Sequence, residues 1–177
     1  IKPYDRLNGM AIHYYIVGLG NPEPEYRGTR HNAGKFLASL FQKKYKGKKA
    51  EVILPDLYMN ESGRAVKNLP ASRLVLLHDD VDLPLGKFKI VFNRGSGGHK
   101  GVASVINALG TKKFVRVRIG ISPKKKPGQK ELLKFLTSKF KPSEIAALKR
   151  LSKKILSALE VIINEGYEKA MSLYNKN

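Results

Sequence analysis

The sequence of 177 residues predicts an α/β fold: a single domain in which helices cover both faces of a mixed, mostly parallel, twisted sheet. Three observations support this three-layer fold class. Short β-branched apolar runs alternate along the chain with segments of helical periodicity. Two of these runs end abruptly in polar or glycine-containing loops, as strands of open α/β sheets do. No internal repeat or shift in composition marks a second domain, so residues 1–177 are assigned to one unit.

The amino-terminal part of the chain begins with a mixed segment, 1–13, which is expected to form a loose arm. The run 14–19 is apolar and β-branched, which predicts a first strand that Pro22 cannot extend. Residues 32–45 carry apolar side chains on one stripe and therefore predict a helix. The next predicted elements are a lysine-rich connector (43–49), a short strand (51–54) and a loop that enters a short helix (57–69).

The second half of the chain begins with a buried strand over 73–78, which runs directly into the acidic residues 79–82. Residues 86–92 alternate in polarity and predict a strand. Residues 115–119 alternate aliphatic residues with arginines, which predicts a strand with one basic face. The remaining predicted elements are a glycine-rich loop (93–98), a helix (101–109) closed by Gly110, a linker (122–130), and helices over 131–140, 142–165 and beyond Gly166. The helical tail, 142–177, is expected to pack on the functional site or to cover it.

Charge is the strongest global signal, because 34 lysines and arginines oppose 14 aspartates and glutamates and give a net charge of +20. Such a field favours a polyanionic partner, with nucleic acid as the leading candidate and anionic lipid or a solvated basic surface as alternatives. The absence of cysteine excludes disulfides, thiolate metal sites and a cysteine nucleophile. No apolar run reaches the length that crosses a bilayer. The chain opens on Ile1 and not on Met, which leaves any targeting segment open.

Two asparagines and a histidine stand where the predicted elements begin or end. Asn21 follows the first strand, at the edge where ligands bind in open α/β sheets, and His31 comes ten residues later. An imidazole has an ordinary pKa of about 6.5, which suits a general base, and a nearby amide can hold a water or a substrate carbonyl. Asn60 can present an N–H to a developing oxyanion. The alternative is that these three side chains only cap local turns and helices.

Two further motifs place charge or glycine at such ends. A carboxylate in the run 79–82 can orient His31, bind Mg²⁺ or Ca²⁺, or take part in a turn. The glycine-rich stretch 93–101 can bind an anion or form a flexible surface loop. A zinc site made of His31, His99 and Asp79 is conceivable, although the histidines show no short metal-ligand spacing. No G-x-S-x-G motif is present, so water activated by His31 is the expected nucleophile.

Five linked motifs carry these residues in a fixed order. They are 17–22 (VGLGNP), Tyr26 with 29–34 (TRHNAG), 58–63 (YMNESG), 78–86 (HDDVDLPLG) and 97–101 (GGHKG). Over about 14–121 the sequence resembles the bacterial-type peptidyl-tRNA hydrolases, and its helical tail is compatible with that family.

The resemblance implies hydrolysis of the ester between a peptide and the tRNA 3′ ribose, with no metal or cofactor. By position, His31 matches the family's catalytic base and Asp79 the carboxylate that orients it. Asn21 and Asn60 match asparagines that bind the peptide and place the carbonyl or the water. The matching substrate-binding residues are Tyr26, Met59, His99 and Lys100 around the site, and Lys87, Lys89, Arg116 and Arg118 as a phosphate clamp. The implied partner is peptidyl-tRNA, and the implied state is a monomer in the cytoplasm or mitochondria.

The sequence departs from the family pattern at two places. Lys100 stands where the family usually has asparagine, and a lysine can instead meet a phosphate or carbonyl oxygen. The segment 46–54 is shorter than the family's strand-loop-strand, so this region is either trimmed or lacks residues. Two rival functions stay open. One is an RNA-binding relative that does not hydrolyse, like a group II intron splicing factor; the other is a metal-dependent phosphodiesterase built on the run 79–82.

Overall fold

The computed structural model describes residues 13–123 and 126–176 and contains one five-stranded sheet. The strands are β1 (Tyr14–Gly18), β2 (Ala50–Ile53), β3 (Leu74–Pro84), β4 (Phe88–Phe92) and β5 (Val115–Ser122). Their order across the sheet is β2-β1-β3-β5-β4. β4 runs antiparallel to β5, and the other neighbouring pairs are parallel. The prediction of a mixed, mostly parallel sheet is therefore confirmed.

Helices provide the crossovers that parallel strands require. The α-helices are α1 (Ala33–Lys44), α2 (Lys100–Leu109), α3 (Leu132–Thr137), α4 (Pro142–Glu165) and α5 (Tyr167–Tyr174), and short 3₁₀ helices span Arg30–Asn32, Met59–Ala65 and Ala71–Arg73. Gly110 closes α2 in the left-handed conformation, as the sequence predicts. None of the helices in the described ranges combines the length and apolar character that a transmembrane helix requires.

The alternation of side chains along β1 and β3 divides the core into two layers, one on each face of the sheet. Ile16, Val75 and Leu77 point to one face and pack in a cluster with buried residues of α1 and α4. Val17 and Leu76 point to the other face and pack with Met59 and with buried residues of α2. Helical layers therefore cover both faces, and the predicted three-layer fold is confirmed.

The structure corrects several predicted boundaries. β3 does not end before the acidic run but continues through it to Pro84, because Asp79 and Asp80 pair with Ile119 and Gly120 of β5. α3 is shorter than the predicted helix over 131–140, and the predicted helix within 57–69 is a 3₁₀ helix. Residues 1–12 of the predicted arm lie outside the described residues.

The helical tail packs mainly in the core. Ile155, Leu159 and Ile162 of α4 are fully buried in the cluster shared with α1, and Ala170 places α5 in the same cluster. The first turn of α4 contacts the loop that carries His31, through the ion pair of Glu144 with Arg30. The wall of the adjoining cavity comes instead from α3 and the segment before it.

Candidate active site

A cavity of about 930 Å³ is lined by residues of β3, β4 and β5, by the loop before α2 and by α3, and Asn21 after β1 is not among its lining residues. Three groups of side chains line the cavity. The floor consists of His31, Asp79 and His99; the basic wall consists of Lys89, Arg94, Lys100, Arg116 and Arg118; the leucine wall consists of Leu132, Leu133 and Leu136.

His31 reaches the floor because the start of α1 lies directly against β3. A Cβ atom on Gly34 would lie 2.2 Å from the carbonyl oxygen of Leu77, so this approach requires glycine. His31 lies in the 3₁₀ helix just before α1, and Leu77 lies two residues before Asp79. The Nδ1 atom of His31 is 2.9 Å and 3.0 Å from the two carboxylate oxygens of Asp79. The side chains of the predicted pair therefore meet.

His99 is the second imidazole that contacts Asp79. It caps the start of α2, where its Nδ1 accepts a hydrogen bond from the backbone N–H of Val102 at 3.3 Å. We therefore assign the ring proton to Nε2, which donates to Asp79 Oδ1 at 2.9 Å. The rings of His31 and His99 lie 5.0 Å apart.

Asp79 is 2 % exposed, and its carboxylate accepts hydrogen bonds from both imidazoles. Burial favours the neutral acid, but the adjacent His99 and His31 outweigh it and hold the pKa of Asp79 well below its usual range. The carboxylate is therefore ionised at neutral pH. It fixes His31 with the proton on Nδ1 and the lone pair on Nε2.

His78 precedes Asp79 on β3 and is buried next to the floor, and no role was predicted for it from the sequence. Its Nδ1 donates to the carbonyl oxygen of Asp79 at 2.8 Å, and its ring lies 4.8 Å from that of His99. Its Nε2 is buried and has no hydrogen-bond partner among the described residues. Burial lowers the pKa of His78 well below its ordinary value, with further lowering by His99 and Arg116 and an opposing effect of Asp79. The only signal in the sequence was its place next to Asp79.

Asn21 is held by contacts far along the chain, not by a local turn. Its backbone N–H donates to Asn32 Oδ1 at 2.8 Å, and Asn32 Nδ2 donates back to the Asn21 carbonyl at 3.1 Å. Its own Oδ1 accepts the backbone N–H of Met59 at 2.8 Å. Asn32 belongs to one of the predicted motifs, but no role was predicted for it. The structure shows that Asn32, the residue after His31, ties Asn21 to the loop that carries His31.

Asn60 and Tyr26 lie on a different part of the surface from the cavity lining. Asn60 follows Met59 directly and is exposed, and the 3₁₀ helix begins at Met59 with Tyr58 as its capping residue, so Asn60 is not a helix cap. The ring of Tyr26 meets that of Tyr58 edge-on, with centroids 6.4 Å apart. Met59, between Tyr58 and Asn60 in the chain, links this region to Asn21 through its backbone N–H.

Four of the five cations of the basic wall were predicted to bind the substrate, and the structure places them at the cavity. Arg116 is 3 % exposed and donates to the carbonyl oxygen of Gly95 at 2.9 Å. Burial, with Arg118 nearby, lowers its pKa to about 10, so it stays charged at neutral pH. Arg94 was not singled out. Lys87 is exposed and is not among the cavity-lining residues.

The other acidic residues of the run 79–82 have partners of their own. Asp80 forms an ion pair with Arg118, and Asp82 forms one with Lys126. The three carboxylates therefore do not converge on one cation position. The residues that could hold a metal ion are instead His31, Asp79 and His99, whose potential ligand atoms lie within 4.8 Å of one another. In this structure those atoms are joined by hydrogen bonds.

The leucine wall was not predicted as part of the site. It is the face of α3 that carries side chains at positions i, i+1 and i+4, a spacing visible in the sequence but indistinguishable there from a core-facing stripe. Leu133 is 70 % exposed, whereas Leu136 is half-buried and packs against the core cluster, so the wall is only partly covered by the protein. The cavity thus combines an imidazole paired with a buried carboxylate, a cationic wall and an apolar wall.

Comparison with known proteins identifies relatives along nearly the whole chain. The family model for peptidyl-tRNA hydrolase matches residues 15–177. A peptidyl-tRNA hydrolase from Thermodesulfovibrio yellowstonii is 42 % identical over 187 aligned residues, covering 91 % of this chain and 98 % of the relative. One from Trichodesmium erythraeum is 37 % identical over 196 residues, covering 94 % and 90 %.

Solved structures give the same result at the level of the fold. The crystal structure of peptidyl-tRNA hydrolase from Acinetobacter baumannii superimposes with a TM-score of 0.82 at 26 % identity, covering 94 % of this chain and 97 % of that chain. A complex of peptidyl-tRNA hydrolase with N-propanol gives a TM-score of 0.84 at 25 % identity with the same coverage.

Proposed function

The chain belongs to the peptidyl-tRNA hydrolase family, and on that premise we propose that it hydrolyses the ester between the peptide and the 3′ ribose of peptidyl-tRNA. The observation that carries the proposal is the His31–Asp79 pair at the floor of a cationic cavity. Products of the reaction are a free peptide and a tRNA with a free 3′-terminal ribose hydroxyl, available for reuse in translation.

In the proposed reaction His31 acts as general base toward water. Asp79 accepts the Nδ1–H of His31, so Nε2 carries the lone pair that removes a proton as the water oxygen attacks the ester carbonyl. The tetrahedral intermediate collapses when the bond to the ribose oxygen breaks. The imidazolium returns its proton to that oxygen. His99, bonded to the same carboxylate, keeps Asp79 ionised and fixed.

The asparagines are proposed to bind the peptide side of the substrate. The Oδ1 of Asn21 is occupied by the Met59 N–H, so its Nδ2 is the atom left to donate to a carbonyl oxygen or a water. Asn60 is exposed beside it and is proposed to donate to the oxyanion that develops at the ester. Tyr26 and Met59 are proposed to border the same peptide-binding region.

The basic wall, together with the exposed Lys87, is proposed to hold the phosphates of the tRNA. Phosphate contacts fix orientation without reading bases, which allows many tRNAs to serve as substrate. Lys100 stands at the start of α2 with no acidic residue in the first turn, where a cation gains nothing from the helix dipole. Its position at the cavity is instead consistent with a phosphate or carbonyl oxygen of the substrate.

We also propose that the protein acts as a monomer without a metal or cofactor, wherever translation supplies its substrate, in the cytoplasm or a mitochondrion. The family resemblance supports this statement. The donor set also supports it, because an oriented imidazole and amide donors can carry out ester hydrolysis. Turnover that persists in excess EDTA is the expected result, and a chelator-sensitive reaction would favour the metal-dependent alternative.

The test uses an N-blocked aminoacyl-tRNA as substrate and measures the tRNA released. The wild-type protein is expected to release tRNA, and His31→Ala to lower kcat by about 10³-fold or more while tRNA affinity stays within about twofold. His13→Ala is the matched control, because His13 is exposed and precedes the amino end of β1, whereas Asn21 follows its carboxyl end. Retention of most turnover by His31→Ala would remove His31 from this role.

A second candidate function is RNA binding without hydrolysis. Two observations favour it: the net charge of +20 and the lysine at position 100 where the family usually has asparagine. The same assay separates the two candidates. Tight tRNA binding with no release by the wild-type protein would support the binding function and contradict the hydrolase.

A further inference from the structure

Arg30 is a buried cation immediately before His31 that the proposed mechanism does not use. It is 6 % exposed. One guanidinium nitrogen, Nη1, donates to the carbonyl and hydroxyl oxygens of Ser138 at 3.2 Å and 2.7 Å and to the carbonyl of Lys139 at 2.8 Å. The other, Nη2, donates to Glu144 at 2.7 Å. The guanidinium carbon lies 4.6 Å from the ring centroid of Phe135, a residue of α3.

These contacts join the loop of His31 to both ends of the turn between α3 and α4. The backbone adds to the connection: Arg30 N–H donates to the Ser138 carbonyl at 3.1 Å, and Phe140 N–H donates to the Gly28 carbonyl at 2.9 Å. Thr29 and Lys139 form an isolated antiparallel bridge at the same place. The carboxyl end of α3 is therefore fixed to the residues directly before His31.

A neighbouring face of α3 carries the leucine wall, which borders the same cavity as His31. Phe135 packs toward Arg30, whereas Leu132 and Leu136 face the cavity. The position of the leucine wall relative to the floor is consequently set through Arg30. The guanidinium itself is not part of the cavity lining.

Stability alone does not account for an arginine at this position. A buried ion pair is often no more stabilising than apolar residues of similar volume, and the Nε of Arg30 is buried with no hydrogen-bond partner in the described part of the chain. What arginine supplies is a planar fork that bonds several acceptors in one fixed geometry, which lysine cannot reproduce. The arrangement fits a demand for position more than a demand for stability.

We propose that Arg30 is a positioning residue that clamps α3 to the loop of His31 and so sets the leucine wall at its distance from the catalytic floor. The inference rests on the proposed function, because it assigns the leucine wall to the binding of the tRNA-ester substrate. Loss of the clamp displaces a surface that contacts substrate in the ground state and in the transition state alike. Such a change raises KM and leaves kcat nearly unchanged.

The test compares Arg30→Lys with Arg27→Lys, a matched control in the same stretch whose side chain is exposed. Arg30→Lys keeps the charge but loses the fork, and we expect KM for N-blocked aminoacyl-tRNA to rise about tenfold with kcat within about threefold of wild type. Amide hydrogen exchange is expected to accelerate across residues 132–138 while the core of α4, residues 151–163, stays protected.

A second variant keeps the test decisive if Arg30→Lys folds poorly. Arg30→Met with Glu144→Met removes both charges, so no buried charge is left unpaired, and the same rise in KM and the same local exchange are expected. An unchanged KM, a loss confined to kcat, or acceleration of exchange across α4 as well would each overturn the proposal. If the wild-type protein releases no tRNA, the proposed function fails instead, whereas the exchange pattern still decides whether Arg30 clamps α3.

Discussion

Asp79 and Asp80 are neighbours on β3, but they serve two regions of the cavity with contrasting construction. Asp79 belongs to the floor, where it is 2 % exposed and accepts hydrogen bonds from the imidazoles of His31 and His99. Asp80 faces the basic wall, where it forms an ion pair with Arg118, a side chain that is 28 % exposed.

The contrast indicates a division of labour between the two regions. In the floor, burial and the hydrogen bond to Asp79 are expected to fix the tautomer of His31 before any substrate arrives, which is preorganisation of the kind that lowers an activation barrier. In the basic wall, exposed cations such as Lys89 and Arg94 can exchange a solvent partner for a phosphate, and the partly exposed Arg118 can exchange its protein partner. Arg116 is buried and is held by the carbonyl of Gly95. Changes in the floor are therefore expected to alter kcat, and changes in the wall to alter affinity and its dependence on salt.

The largest expected effect comes from Asp79→Asn, which breaks the floor without changing its shape. The neutral amide no longer stabilises the imidazolium and can donate to Nδ1, which favours the wrong tautomer of His31. We expect kcat to fall by about 10³- to 10⁴-fold and tRNA affinity to stay within about twofold. Steady-state kinetics and filter binding measure the two quantities.

Asp82→Asn is the matched control for that prediction, because Asp82 lies three residues along the same strand and its ion pair with Lys126 is exposed. Its kcat is expected to stay close to that of the wild-type protein. Equal losses in the two variants would show that the acidic run acts through its total charge, and the distinction between floor and wall would be lost.

A smaller effect is expected from Arg118→Ala in the basic wall. If Arg118 contacts a phosphate, tRNA affinity is expected to fall about tenfold, and the slope of log affinity against log salt is expected to shallow by about one unit. The removal of Arg118 also leaves the Asp80 carboxylate facing the RNA. The double variant Arg118→Ala with Asp80→Asn separates the loss of the phosphate contact from the repulsion by Asp80. The part of the affinity loss that was due to repulsion is restored in the double variant, and the part due to the lost phosphate contact is not. A salt slope equal to that of the wild-type protein contradicts the phosphate contact.

The sequence allowed the fold to be predicted because hydrophobic periodicity is a local property. The end of the strand before Asn21 was predicted in the same way, and the resemblance to a family supplied the roles of His31 and Asp79, which stay predictions. The continuation of β3 through Asp79 and Asp80 was missed, because acidic residues disfavour strands unless a neighbouring strand pairs with them.

What could not be predicted depends on contacts between distant residues. Arg30 meets Ser138 and Glu144, which are 108 and 114 residues away in the sequence. Leu133 on α3 looks like an ordinary core residue until the packing shows it to be 70 % exposed at the cavity. No periodicity in the sequence reports such pairings, because they follow from how helices pack across the completed sheet.

The smallest expected effect concerns the stability of the protein. It extends the contrast between the buried floor and the basic wall to His78, which is buried next to the floor. Burial lowers the pKa of His78 in the folded protein, whereas the imidazole in the unfolded chain titrates near its ordinary pKa of about 6.5. As the pH falls through that value, the unfolded chain takes up a proton that the folded protein does not. The contribution of His78 is therefore fully present above this pH, and the free energy of unfolding falls by about 1 kcal/mol between pH 7.5 and 5.5.

His78→Gln removes this titration, so its free energy of unfolding, measured by urea denaturation, is expected to fall less than that of wild type over the same pH interval. The variant is expected to be the less stable protein at pH 7.5, because the packing of the ring against His99 is lost. The difference in free energy of unfolding between His78→Gln and wild type is then expected to become smaller as the pH falls. If the difference in free energy of unfolding between His78→Gln and wild type stays constant with pH, water reaches His78. The burial that distinguishes the floor from the basic wall would then include Asp79 but not His78.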